Sequence, residues 1–309
     1  MHFEIFLQQL INGLVQGSIY ALVALGYTMV YGIMGLINFA HGEVVMIGTL
    51  VTITLTGLLA AAGIPLPVAG LVALVAAILC CMALGWGLER VAYRPLRHAP
   101  RLAPLITAIG MSIVLQNLAM MIWGRHYIAF PALLPKGQFE IAGASITIIQ
   151  IIIVAVSAII MAGLMFLIYR TRLGMAMRAT AQSPQVAGLM GVNINRVIAS
   201  AFVIGSALGA VAGVLVGSYY EIAHYQMGFM LGLKAFTAAV LGGIGNVAGA
   251  MVGGLLLGLI EALGAGYIGD LTGGFLGSHY QDIFAFMVLI GVLMFRPSGL
   301  FGEKTGERA

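Results

Sequence analysis

Charged side chains are what this sequence has least of. Asp, Glu, Lys and Arg make up 8% of its 309 residues, against about 25% in a soluble domain. So few charges cannot cover the surface of a water-soluble protein, whatever its core. Cysteine is nearly absent too: Cys80 and Cys81 stand side by side in an apolar run, with no other Cys or His at ligand spacing. A bridge between neighbours is strained. The pair therefore excludes a disulfide framework and a thiolate metal site, and is expected to pack. No HExxH, GxSxG or Walker A pattern occurs. We therefore expect no catalytic residue, no metal and no bound cofactor, and no ATP hydrolysis by this chain itself. A basic region before the first apolar run is also missing, so that run is expected to remain in the mature protein rather than act as a cleaved signal.

What is present in excess is apolar sequence, 61% of the chain, together with 43 glycines. Lipid is the solvent that suits this balance, provided that backbone polar groups are satisfied within helices or a closed barrel. The apolar runs favour helices. They last about 20 residues, where a barrel strand needs about 10 with strict alternation. Ile146–Tyr169 is apolar on every face. Glycine is tolerated because small residues let helices approach closely in lipid. The ladder Gly205, Gly209, Gly213, Gly217 and its echo Gly245, Gly249, Gly253 are expected to be packing surfaces of this kind. The fold class is all-α, a polytopic membrane protein forming one transmembrane domain over residues 1–309. It should have about 8 transmembrane helices plus broken or re-entrant segments.

The 14 basic residues sit mostly in three short stretches: Arg90, Arg94, Arg97 and Arg101; Arg170, Arg172, Arg178 and Arg196; and Arg296, Lys304 and Arg308. Short basic connections face the cytoplasm. All three, the C-terminus included, are expected there, and the loop carrying Arg125, Lys136 and Glu140 on the other side. The rule is silent on residue 1, because no Lys or Arg precedes Arg90. The pattern reflects topology in lipid, not nucleic-acid binding, which needs a contiguous basic face.

Two interruptions stand out, one in each half: GIMGLINFAHGE at Gly32–Glu43 and LGGIGN before Val247. Non-helical backbone at membrane depth is tolerated only where protein or a water-filled cavity satisfies it. Paired interruptions point to a path built from two internal repeats. The candidate path residues are Asn38, His41, Glu43, Gly242, Gly243, Gly245 and Asn246, with Lys234 as a further embedded charge. His41 is open to structural hydrogen bonding or to a gating role. Glu261 is the other embedded charge, isolated in sequence but able to pair with Lys234. Glu221 and His224 fall at the outer end of a span. The two segments joined by LGGIGN either cross twice or re-enter from one face.

The stretch 170–197 is the longest cytoplasmic connection. Within it Ser183 is placed to cap a helix opened by Pro184 and closed by a left-handed Gly191. That gives a two-turn helix presenting Val186, Ala187, Leu189 and Met190. Such a helix packs either on its own spans or on a cytoplasmic partner, with Arg178 and Arg196 steering acidic groups in the second case.

Several segments together resemble LivH-type permeases of bacterial branched-chain amino acid ABC importers. They are INGLVQGSIYALVALGYTMVYGIMGLINFAHGEVVMIG, ERVAYRPLR, LITAIGMSIVLQN, GVNINRVIA and KAFTAAVLGGIGNVAGAMVGGLLLGLIEAL. The resemblance runs in order from about residue 5 to residue 302, and the tail beyond Gly302 departs from it. It implies the ABC importer permease fold in the bacterial inner membrane, with leucine, isoleucine or valine as cargo. It also implies partners: a LivM-like second permease, two cytoplasmic ATPases holding ATP and Mg, and a periplasmic amino-acid-binding protein. The helix at Pro184–Gly191 would dock into a groove on one ATPase. Related permeases carry urea or short amides. A proton-coupled secondary transporter is the rival class; it would show carboxylate or His relays within spans.

Overall fold

The computed structural model describes residues 2–100, 102–141, 143–271 and 281–302. The chain runs α1 (His2–Met34), α2 (His41–Ala61) and α3 (Leu66–Leu88), then a π turn (Glu89–Tyr93) and a 3-10 turn (Arg94–Leu96). After α4 (Leu102–Trp123) come three short strands, β1 (Ile128–Ala129), β2 (Gln138–Ile141) and β3 (Ala144–Thr147). The remainder is α5 (Ile148–Arg170), α6 (Arg172–Gln182), α7 (Pro184–Leu189), α8 (Ile194–Tyr220), β4 (Ile222–Ala223), α9 (Met227–Gly242), α10 (Val247–Leu271) and α11 (Gln281–Phe295). Among the described residues seven helices are long and apolar enough to cross a membrane, where the sequence suggested about eight; α9 and the apolar part of α11 are shorter. Among the described residues the all-α reading is amended by two antiparallel two-stranded pairings, β1 with β4 and β2 with β3.

The helices follow the logic of lipid, in which burying Leu against Leu gains little and close backbone approach gains more. On α3, Ala69, Ala73, Ala77 and Cys81 are fully buried, while Leu71, Val75 and Leu79 are more than half exposed. Small residues four apart thus turn inward and the large ones turn to lipid. Cys81 packs with its Sγ 3.5 Å from the Val44 carbonyl oxygen. The most extensive seam lies between α1 and α10. A Cβ on Gly13 or Gly17 would stand 2.8 Å from the Cα of Leu259 or Leu255, and Gly254 and Gly258 face Ala21 and Gly17 in return. The α8 ladder is also a packing face: Gly205 meets Gly26, Gly209 meets His41 and Val45, Gly213 the Val45 carbonyl, and Gly217 the Phe130 ring.

These seams fix two ends of the bundle. At one end Val30, Tyr93, Ile198 and Phe202 form a cluster joined by Ile33, Met34 and Ile194. Gly32 meets the Gly245 carbonyl at this end. The residues after α11 join it, because Leu300 and Phe301 donate backbone N–H groups to the Leu241 and Gly242 carbonyls at 3.0 and 2.9 Å. The basic segments around Arg94, α6–α7 and Arg296 therefore share one end; Lys304 and Arg308 lie outside the described residues. At the opposite end Gln8 Nε2 donates to the Ser145 carbonyl at 3.1 Å, and Lys136 pairs with Glu221 at 3.1 Å. The start of α1 thus lies with the 124–147 loop, a placement on which the charge pattern was silent. Most of the polar stretch between Gly269 and Gln281 lies outside the described residues.

Candidate functional site

The first interruption is shorter than the sequence suggested. Helix α1 continues to Met34 and ends on Gly35, whose φ of +65° favours glycine and whose N–H returns to the Tyr31 carbonyl at 2.7 Å. Only residues 35–40 leave helical geometry, so His41 and Glu43 lie in the first turn of α2. Asn38 holds the turn: its Oδ1 accepts from the Ala40 N–H at 3.1 Å and from the Tyr93 hydroxyl at 2.7 Å. His41, buried, lies against Gly26 and Gly209 and meets the Tyr27 ring edge-on at 5.0 Å. Since α2 starts beside Gly26 rather than beside Met34, its N-terminus is set inside the bundle.

Glu43 is fully buried there. A helix N-terminus favours a carboxylate in its first turn, and two side chains of α4 satisfy one oxygen. Ser112 Oγ donates to Glu43 Oε1 at 3.0 Å and Gln116 Nε2 donates to the same atom at 2.7 Å. Oε2 lies against Gly228 of α9 without a hydrogen-bond partner among the described residues. Sequence reasoning missed Ser112, Gln116 and Tyr93. The first two had a signal: polar residues four apart in an apolar span lie on one face.

A second polar cluster joins α1, α9, α10 and α11. Lys234 Nζ is 3.3 Å from Glu261 Oε2 and 2.8 Å from Asp282 Oδ1, and the Tyr20 hydroxyl donates to Glu261 Oε2 at 2.7 Å. Glu261 is therefore not isolated, as it looked in sequence; Tyr20 and Asp282 were unforeseen partners. Lys234 also lines a cavity of about 220 Å³ with Tyr20, Tyr220, Met227 and Met230 at the end opposite the basic segments.

The LGGIGN turn lies elsewhere. Gly242 packs on Gly249, and Gly243 on Gly302 and Phe301. Asn246 Nδ2 donates to the Phe301 carbonyl at 3.0 Å while its Oδ1 accepts from the Gly249 N–H at 3.0 Å, in the manner of an N-cap. Gly245 faces Tyr31 and Gly32. The two interruptions thus meet through the end of α1, at the basic end, and Lys234 stands apart from both.

The basic end also displays the short helix. Ser183 Oγ accepts from the Val186 N–H at 3.3 Å and Gly191 has φ +85°, so α7 forms where capping chemistry put it. Ala187 is buried, whereas Val186, Leu189 and Met190 are 58, 88 and 81% exposed. Before it comes α6, an amphipathic helix that the sequence reading left as loop; it buries Gly174, Met177 and Thr180. Arg178 lies 5.4 Å over the Tyr169 ring, and Arg196 is exposed. Nearby, the fully buried Glu89 carboxylate accepts from Arg94 Nη2 at 2.8 Å and also from Arg97, which in turn donates to Asn195 Oδ1 at the start of α8. Burial pushes the Arg97 guanidinium below the usual arginine range, with Glu89 acting in the opposite sense.

A bundle of apolar helices with embedded polar clusters and broken segments is that of a multi-pass membrane protein. Residues 9–293 match the family described as "Branched-chain amino acid transport system / permease component", and the chain belongs to that family. It is 50% identical to the high-affinity branched-chain amino acid transport system permease protein BraD of Pseudomonas aeruginosa, over 98% of each chain. It is 48% identical to LivH of Escherichia coli, over 99% of this chain and 98% of that one. A probable branched-chain amino acid transport permease protein, LivH of Methanocaldococcus jannaschii, is 27% identical over 94 and 91% of the two chains.

Proposed function

We propose that this chain is one membrane-spanning subunit of an ATP-driven importer that carries branched-chain amino acids into the cytoplasm. The observation that carries the reading is its near-half identity, end to end, with BraD and LivH, permease proteins named for that transport. On this reading residues 1–309 form a single permease domain in the bacterial inner membrane. The basic end, which includes Arg296 just before the C-terminal tail, faces the cytoplasm. The partners are a LivM-like second permease, a periplasmic amino-acid-binding protein, and two ATPase subunits that hold ATP and Mg and carry out the hydrolysis. This chain contributes passage and coupling, not catalysis. Helix α7 docks into one ATPase through Val186, Leu189 and Met190. The pairing of Glu261 with Lys234 argues against the rival reading of a proton relay, in which a lone carboxylate exchanges its proton. Reconstitution of the whole complex in liposomes tests the proposal. ATP-dependent uptake of leucine, isoleucine or valine supports it; uptake of urea or short amides instead, or uptake driven by a proton gradient without ATP, would sink it.

A further inference from the structure

We infer that the cavity above α9 is a transit binding site for one zwitterionic α-amino acid with an apolar side chain, its carboxylate received by Lys234. The inference rests on the importer reading above and adds where, within this chain, the solute pauses. The cavity measures about 220 Å³ and opens at the end away from the basic segments. That is the scale of one small solute, not of a peptide.

Its walls divide by chemistry. Ile19, Val216, Met227, Met230 and Leu231 supply an apolar lining, and Met side chains adapt to differing apolar shapes. The polar end is Lys234. An ammonium has three N–H donors. Lys234 donates one to Glu261 and stands 2.8 Å from Asp282 Oδ1 as an ion pair, and its side chain remains 17% exposed, so the ammonium keeps donor capacity for a group in the cavity. The two carboxylates hold the ammonium in place before a solute arrives, so little is lost in ordering it.

The same pair sets the charge that the site accepts. One ammonium beside two carboxylates leaves this end with an excess negative charge. A solute carrying a carboxylate alone adds to the excess; a solute carrying an ammonium alone offsets it but leaves the free Lys234 donor unused and so lacks the hydrogen bond that would orient it. A zwitterion satisfies the donor and brings its own compensating cation, for which the neutral acceptors of Gln16 and Tyr220 lie in the same wall.

The test uses the assembled membrane complex, permeases with ATPases, in nanodiscs, with radiolabelled leucine as probe. Saturable binding should be displaced by unlabelled leucine or valine. Neither 4-methylpentanoate, which lacks the ammonium, nor 3-methylbutylamine, which lacks the carboxylate, should displace it at the same concentration. Met230 is about half exposed, so Met230→Trp narrows the cavity without disturbing a core and should weaken leucine binding at least tenfold. Met227→Ala widens the cavity and should shift preference from leucine toward phenylalanine. Absence of saturable binding, displacement by either singly charged analogue, or leucine binding and side-chain preference unchanged in both variants overturns the inference. Uptake by the unmodified complete importer separates the two readings. If it moves leucine while the site fails these tests, only the transit site is wrong; if it moves no apolar amino acid, the cargo assignment falls and the site with it.

Discussion

Replacing Leu189 with Asp separates the two roles open to helix α7. In the chain by itself Leu189 is 88% exposed, with Met190 and Val186 also facing outward and only Ala187 of this group buried. A surface substitution of that kind changes the stability of the chain by no more than about 0.5 kcal/mol. If α7 docks into an ATPase, the same side chain is buried in the complex. Burying a leucine is worth about 1.5–3 kcal/mol, so its loss weakens association roughly 10- to 150-fold, before any cost of pressing a carboxylate into an apolar groove. The assay has two halves: thermal unfolding of the solubilised permease, and titration of ATPase subunits onto it with the ratio of ATP hydrolysed to leucine moved. We expect the first unchanged and the second impaired. Ala187→Asp is the internal contrast. It places a charge at a buried position and should destabilise the permease itself. Unchanged association and coupling in the Leu189→Asp protein would refute docking. A loss of permease stability instead would mean that α7 packs on its own chain.

Three further outcomes are expected. Gly17→Leu forces a side chain into the backbone of α10 at Leu255. It should cost about 1–3 kcal/mol or more, read as a lower unfolding temperature and less membrane-integrated protein; normal stability would mean that the α1–α10 seam is looser than described. Glu43→Gln keeps an acceptor for Ser112 and Gln116, whereas Glu43→Ala strands both donors at about 1–3 kcal/mol each. Alanine should therefore be clearly worse than glutamine in thermal unfolding, and equal damage would show that the charge, not the hydrogen bonding, matters. In a background without Cys80 and Cys81, cysteines at His98 and Arg172 should resist an impermeant thiol reagent added outside intact cells, while one at Gly143 should react; the reverse pattern would invert the topology.

How much of this was legible in the sequence depended on the range over which each signal acts. Helix α4 begins and ends at Leu102 and Trp123, where the apolar run does, and α7 follows its cap residues Ser183 and Pro184. Both are decided within a few neighbouring positions. Helix α6 escaped because its buried face consists of Gly174, Met177 and Thr180, too mixed to read as an apolar stripe. The length of the first interruption was overestimated for a related reason: Gly32, Asn38 and His41 look like breakers, yet Gly32 is helical and His41 opens α2. Inside lipid the usual contrast between apolar core and polar surface is missing, so the inward face of a span shows only in residue size, as on α3.

The polar clusters were the least legible part, and the reason is the cost of burying charge. A lone Glu261 in an apolar helix promises a partner, because an unpaired charge at membrane depth is expensive, but nothing in the sequence names the partner. In the fold it receives Tyr20 from 241 positions earlier and Lys234 from 27 positions earlier, and Asp282 reaches the same ammonium from the next helix. Glu43 is likewise answered by Ser112 and Gln116, on a helix that follows an intervening span and turn. Each embedded charge is thus matched by residues from other helices, so the same contacts that satisfy it also fix how those helices pack. That double role means that Lys234→Met, which strands both Glu261 and Asp282, should damage assembly more than Glu261→Gln, which leaves Lys234 paired with Asp282, and that adding Glu261→Gln to Lys234→Met should restore part of the loss. A double variant as damaging as the sum of the two singles would show that the charges act independently, and that the pairing does not hold α9 to α10.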